Sequence, residues 1–130
     1  MVEIIYKNKN YVVINKPAGV PAQPDPSQDD DALSLTSRAL ASLGERDSVF
    51  LVHRLDRTVG GLTVIAREQS YAALLSEAVK NRELNKEYLA VVDGVCTDGT
   101  FEDYLCKDSR CGKAFAVGAD RKGAKYARLT

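Results

Sequence analysis

The sequence has 130 residues, with 18 Lys or Arg against 18 Asp or Glu, so its formal net charge is zero. Hydrophobic residues at 45% and charged residues at 28% are ordinary values for a globular domain and argue against a wholly disordered chain. No apolar run approaches the roughly 20 residues that span a bilayer, and the N-terminus lacks a signal-peptide pattern. With no export signal, the three cysteines indicate free thiols, and we expect a soluble cytoplasmic protein.

The first third of the chain is predicted to form a β-hairpin, a long loop and a helix. Residues 2–6 and 11–15 are β-rich runs separated by a polar, turn-forming stretch. A loop with three prolines and several acidic residues follows over 20–31, and its length makes it a candidate functional loop. The acidic run 29–31 can cap a helix over residues 32–43, where leucines and alanines recur at helical spacing.

The middle of the chain is predicted to form two strands joined by a charged loop, then a helix and a strand. Residues 49–53 and 62–66 are short apolar runs on either side of that loop. Residues 68–82 carry one apolar stripe at helical spacing. Residues 87–92 predict a further strand, and the Asp93-Gly94 pair after it is typical of a turn.

The last part of the chain carries weaker β-like pieces over 101–105, 114–117 and 125–129. Strands and helices interleave irregularly, which predicts an α/β or α+β fold. Residues 105–130 have an excess of five positive charges, which can attract a phosphate backbone, although solvated surface lysines give the same pattern. Because the final strand has no turn or polar tail after it, we expect residues 1–130 to be a single domain that is truncated at its C-terminal end.

The densest group of reactive side chains is the run His53-Arg54-Leu55-Asp56-Arg57, which is followed by Gly60-Gly61. A surface ion-pair cluster without function is one interpretation. The functional interpretation is that positive charge from the flanking arginines keeps Asp56 ionised, so that it can serve as a nucleophile or general base. The arginines can also bind phosphate or stack on bases, and the glycines allow a backbone to approach a ligand closely.

Three ordered segments together resemble the RluA-type pseudouridine synthases, which isomerise uridine to pseudouridine in ribosomal or transfer RNA. They are Val13-Ile14-Asn15-Lys16-Pro17-Ala18-Gly19, the run 53–57 with Gly61-Leu62, and Lys86-Glu87-Tyr88-Leu89-Ala90-Val91-Val92-Asp93-Gly94. The resemblance implies an α+β catalytic fold around a central mixed, largely antiparallel sheet with flanking helices, of which this chain is the N-terminal part. It also implies an isomerase that needs no metal and no organic cofactor.

The resemblance assigns roles to individual residues. Asp56 matches the aspartate that attacks the target uridine, and Tyr88 matches the tyrosine that packs on the target base and assists proton removal. The other matching residues are expected to bind substrate: Arg54, Arg57, His53, Asn15 and Lys16. Extrusion of the target base is also required, because the reacting atoms are inaccessible in a stacked base.

Within the substrate-binding set, the expected roles differ. Arg54 and Arg57 are expected to contact RNA phosphate or to fill the space that the extruded base leaves. Asn15 and Lys16 are expected to shape the wall of the cleft. His53 is expected to orient its neighbours and not to transfer protons, and a core-filling strand tyrosine remains the alternative for Tyr88.

The sequence departs from the family pattern in ways that leave alternatives open. Val59-Gly60 stand where most members have Thr-Ser, so hydroxyls that could hold the catalytic loop are missing. The family's basic third segment and leading RNA-binding domain have no match within these 130 residues. A non-catalytic RNA-binding relative is therefore the second hypothesis.

A metal or redox module around Cys96, Cys106 and Cys111 is a weaker third hypothesis, since no fourth ligand is evident. Exposed strand edges left by a missing half predict self-association.

Overall fold

The computed structural model describes residues 2–95, 97–108, 111 and 113–130. The chain divides into two compact units, Met1–Glu87 and Tyr88–Thr130, and each is described by itself. The α+β class predicted from the sequence is confirmed: the described residues form two helices and two sheets in which every strand pairing is antiparallel. The single-domain organisation of residues 1–130 stays a prediction.

The first unit contains a four-stranded sheet whose central pair is the second and fourth strands in sequence. Its strands lie in the order β1-β2-β4-β3 and are β1 (Glu3–Lys7), β2 (Tyr11–Lys16), β3 (Phe50–Leu51) and β4 (Gly61–Ala66). The predicted hairpin is formed by β1 and β2, and the Asn8 carboxamide oxygen accepts the N–H groups of Asn10 and Tyr11 in its turn. On its other side β2 pairs with β4 along its whole length, which brings Lys16 opposite Gly61.

Two helices pack on this sheet. Helix α1 (Ala32–Ser42) begins at Asp31, whose carboxylate accepts the Ser34 N–H at 3.1 Å, as the predicted acidic cap requires. Its first turn packs on the buried face of the sheet, in a core of apolar side chains: Val2, Val12, Ile14, Ala32 and Ile65. Helix α2 (Gln69–Lys80) packs against β3 and β4 and has no fully buried residue.

The second unit is a three-stranded sheet in the order β6-β5-β7. Its strands are β5 (Phe101–Asp108), β6 (Lys113–Val117) and β7 (Lys125–Leu129). The rings of Tyr104 and Tyr126 meet edge to face at 5.7 Å, and the Tyr126 hydroxyl donates to Glu102 at 2.6 Å. Most described side chains of this sheet are exposed.

The strand predicted over residues 87–92 is not formed. These residues lie within the described part of the chain, yet they belong to no sheet, and Leu89 and Val91 are fully exposed. The apolar run is there, but a strand also needs a neighbour that pairs with its N–H and C=O groups, and no described strand does so. Among the described residues, no helix is both long enough and apolar enough to cross a membrane.

Candidate active site

The loop between β3 and β4 presents Asp56 to solvent. Leu55 is buried, whereas its neighbours Arg54 and Asp56 are exposed. The Asp56 carbonyl accepts the Val59 N–H at 3.0 Å, which closes a turn directly after the carboxylate. One buried leucine therefore anchors the loop and leaves two charged side chains accessible.

Lys16 is buried beside this loop. In β2 the residues at positions 12, 14 and 16 share the core face, so the alternation of the strand carries Lys16 inward. Its ammonium group donates to the carbonyl oxygens of Val20 at 2.7 Å, Pro17 at 3.0 Å and Arg57 at 3.5 Å. Burial lowers the pKa of Lys16, and the negative charge of Asp56 acts in the opposite direction. Asp56 thus helps to keep a buried cation charged.

Arg57 joins the Asp56 loop to the proline-rich loop. Its guanidinium donates to the Gly19 carbonyl and the Ser27 hydroxyl, at 3.0 and 3.1 Å. It also pairs with the carboxylates of Asp29 and, at 3.5 Å, Asp25. In return, the Gly19 N–H donates to the Arg57 carbonyl at 2.7 Å. Both the main chain and the side chain of Arg57 are therefore committed to contacts inside the molecule.

Gly60 allows the same two loops to lie against each other. A Cβ atom at this position would lie 3.2 Å from the Ala18 nitrogen and 3.3 Å from the Lys16 oxygen, both main-chain atoms. Such distances are too short for an unstrained contact. The close approach expected at this glycine is therefore made by the chain's own backbone.

His53 contacts β4 just beyond the end of β3. Its Nε2 accepts the Val64 N–H at 3.1 Å, so the imidazole continues the hydrogen bonding of β3 by one step. Burial, and then the positive charge of Lys86, lowers the pKa of His53. An acceptor at Nε2 requires the neutral ring. This contact suits the orienting role expected for His53.

Within the first unit, the structure brings together only part of the predicted site. Lys16, Asp56 and Arg57 meet where the two loops join. Asn15 lies on the opposite face of β2, where its amide donates to Glu3 at 3.1 Å. Arg54 is exposed and makes no hydrogen bond or ion pair within the described residues. Tyr88 belongs to the second unit, and its side chain is 61% exposed.

Sequence reasoning missed the partners of Arg57 in the proline-rich loop. The sequence pattern predicts a helix cap for residues 29–31 and assigns no role to Asp25 or Ser27. The available signal was the unusual length and charge of that loop.

Among the described residues no three His, Cys, Asp or Glu side chains are grouped to hold a metal, and Cys106 and Cys111 are free thiols. Cys96 lies outside the described residues.

Comparisons with known proteins identify the family. The profile of the RNA pseudouridylate synthase family matches residues 10–129. Over 128 residues, the chain is 30% identical to ribosomal large subunit pseudouridine synthase D of Borreliella burgdorferi, covering 92% of this chain and 39% of the relative. It is 32% identical over 128 residues to tRNA pseudouridine synthase C of Yersinia pestis, covering 98% of this chain and 46% of the relative.

The fold comparison agrees. A solved structure of human RNA pseudouridylate synthase domain containing 4 superposes with a TM-score of 0.76 at 24% identity, covering 97% of this chain and 51% of that one. The chain therefore belongs to the RNA pseudouridylate synthase family, as the three sequence segments indicated. It spans less than half the length of these two curated relatives.

Proposed function

We propose that the protein containing this chain isomerises uridine to pseudouridine in RNA, with Asp56 as the nucleophile. The observation that carries the proposal is an accessible carboxylate on a loop that is held from three directions. Leu55 anchors the loop in the core, Lys16 binds the Arg57 carbonyl, and Arg57 binds the neighbouring loop. A nucleophile on such a support meets its substrate without a large cost of ordering.

The proposed reaction rearranges atoms within one nucleotide. Asp56 attacks the target uridine, the bond between the ribose and the base nitrogen breaks, and the base turns. A carbon of the base then bonds to the ribose, the bond between the Asp56 carboxylate and the nucleotide breaks, that carbon loses its proton, and the nitrogen released from the ribose gains one. Tyr88 is proposed to pack on the base and to assist this proton removal. The product is an isomer, so no oxidant, reductant or cofactor is consumed.

The proposed partner is ribosomal or transfer RNA. The names of the two relatives given above specify one ribosomal and one transfer RNA enzyme. Arg54 supports the proposal, because an exposed guanidinium without a partner among the described residues is available for phosphate. A cytoplasmic location, where these RNAs are found, is part of the same proposal.

The test is Asp56→Asn in the full-length protein. An amide cannot replace the carboxylate as a nucleophile, so we expect no pseudouridine in treated ribosomal or transfer RNA, measured by nucleoside digestion and mass spectrometry. Asp47→Asn is the matched control, because Asp47 is also exposed and lies outside the loop. We expect this control to retain activity.

Two outcomes would contradict the proposal. Normal pseudouridine levels with Asp56→Asn would remove the role of this residue. Tight, salt-sensitive RNA binding by the wild-type protein, without any modified base, would identify the second hypothesis, a non-catalytic RNA-binding relative. The Val59-Gly60 pair in place of Thr-Ser favours that alternative.

We also propose self-association through an exposed strand edge. The edge strands are β1 and β3 in the first sheet and β6 and β7 in the second. Such edges present unpaired N–H and C=O groups that can pair with a second copy. Sedimentation of the purified protein is expected to show a dimer, and a compact monomer at high concentration would contradict this.

A further inference from the structure

We propose that Arg57 is a positioning residue for Asp56, held by a clamp that consists of Asp25, Ser27 and Asp29, and that it is not a ligand for RNA phosphate. The inference rests on the proposed function and deepens it by assigning different roles to Arg54 and Arg57. From sequence, both are expected to contact RNA phosphate or to fill the space that the extruded base leaves. The contacts of the described residues argue for different roles.

Every nitrogen of the Arg57 guanidinium has an internal partner. Nε donates to the Gly19 carbonyl at 3.0 Å. Nη1 donates to the Ser27 hydroxyl at 3.1 Å and forms an ion pair with the Asp25 carboxylate at 3.5 Å. Nη2 binds the Asp29 carboxylate. Two carboxylates already pair with the guanidinium, so an RNA phosphate would compete with both of them for a side chain that is 44% exposed.

The clamp itself is cross-linked. The Ser27 hydroxyl donates to Asp25 at 2.5 Å and accepts the Asp29 N–H at 3.3 Å, and the Ser27 N–H also donates to Asp25. Hydrogen bonds from Ser27 lower the pKa of Asp25, and the hydrogen bond from Arg57 lowers that of Asp29. An isolated exposed ion pair contributes little to stability, but a guanidinium shared by several charged and polar partners is the exception.

The clamp acts on Asp56 through the main chain. Arg57 and Gly19 exchange two hydrogen bonds, one from the side chain and one to the main-chain carbonyl. The Lys16 ammonium binds that same carbonyl. Because Asp56 is bonded directly to Arg57, fixing the Arg57 main chain restricts the position of the Asp56 Cα atom, from which the carboxylate extends.

The test is the double variant Asp25→Asn/Asp29→Asn in the full-length protein, which removes the charge of the clamp at nearly constant shape. We expect kcat for pseudouridine formation to fall by roughly 10- to 100-fold, since a small misplacement of a reacting group is costly. KM for RNA and its salt dependence should not change. Asp30→Asn is the matched control, because Asp30 lies in the same acidic run but pairs with Arg38.

Unchanged kcat with a lower KM and a steeper salt dependence would overturn the proposal, because a freed Arg57 would then be binding phosphate. Unchanged kcat and KM would overturn it as well. Hydrogen exchange of the Gly19 amide gives a readout that does not depend on activity. We expect it to exchange faster in the double variant, while amides of β2 and β4 keep their protection.

The exchange measurement also separates this proposal from the proposed function. If Gly19 exchanges faster in the double variant but the wild-type protein forms no pseudouridine, the clamp proposal stands and only the proposed function is contradicted. If Gly19 exchange is the same in both proteins and the wild-type protein is active, the clamp proposal is contradicted and the proposed function stands.

Discussion

The two family-like segments in the first unit and the third segment, residues 86–94, differ in how the structure holds them. The first two interlock: Lys16 and Gly19 both donate to the Arg57 carbonyl, and Gly60 lies against the backbone of Ala18. Residues 87–92 belong to no sheet and are exposed. All three segments were recognisable in the sequence. A segment that resembles the family in sequence is therefore not always held in place by the rest of its unit. Here the internal hydrogen bonds distinguish the first two segments from the third.

The interlocked region can be broken most effectively at Lys16. In Lys16→Met the side chain keeps its length, but the carbonyl oxygens of Pro17 and Val20 lose their shared donor. We expect the free energy of unfolding to fall by about 1–2 kcal/mol, because the half-buried Val20 carbonyl loses its hydrogen-bond donor, whereas the Pro17 carbonyl still accepts the Val20 N–H. Urea denaturation of the wild-type protein and the variant measures this loss.

Lys9→Met is the matched control for this prediction. Lys9 is exposed in the β1–β2 turn, and we expect its substitution to change the free energy of unfolding by less than about 0.5 kcal/mol. Equal effects at the two positions would show that the Lys16 ammonium does not hold the loops together.

A smaller effect is expected from His53, and it depends on pH. Burial and Lys86 lower the pKa of His53 below its ordinary value of 6.5, so the unfolded chain binds this proton more readily than the folded one. The contribution of His53 to stability is therefore present above about pH 6.5 and is lost as the pH falls below it. One proton limits the slope to about 1.4 kcal/mol per pH unit. Urea denaturation between pH 5 and 8 measures it.

His53→Gln sharpens this measurement, because a carboxamide oxygen can accept the Val64 N–H but does not titrate. His53 is the only histidine in the chain, so the variant should lose most of the pH dependence in that window. A wild-type protein that gains stability as the pH falls from 7 to 5.5 would contradict the assignment of a neutral imidazole.

Much of the fold followed from local sequence patterns. Alternation and turn chemistry predicted the β1–β2 hairpin, and helical spacing predicted both helices to within two residues. The strand expected over 87–92 failed because pairing depends on a neighbour, which no local pattern specifies. The run Asp29-Asp30-Asp31 shows the same limit: one residue pairs with Arg57, one with Arg38 and one caps α1.

For the candidate site, sequence patterns indicated Asp56, whose role as nucleophile stays a prediction, but they did not indicate the side chains that hold its loop. The run 53–57 predicts that the flanking arginines are the charges acting on Asp56. Within the described residues neither arginine contacts that carboxylate, and the cation whose interaction with Asp56 is evident is Lys16. Charged side chains usually prefer solvent, so the composition of the segment does not predict a buried lysine. Only the alternation of β2, which places residue 16 on the same face as residues 12 and 14, could have indicated that Lys16 is buried.

The third segment gives the smallest expected effect on stability. Tyr88 is 61% exposed and belongs to no sheet, so Tyr88→Ala should change the free energy of unfolding by less than about 0.5 kcal/mol. Tyr104→Ala is the matched control in the same unit, since it removes an aromatic pair in a sheet, and should cost about 0.5–1.5 kcal/mol. Under the proposed function, Tyr88→Ala should nevertheless lower pseudouridine formation sharply. A loss of stability at Tyr88 as large as that at Tyr104 would show that residues 86–94 are held as firmly as the first two segments.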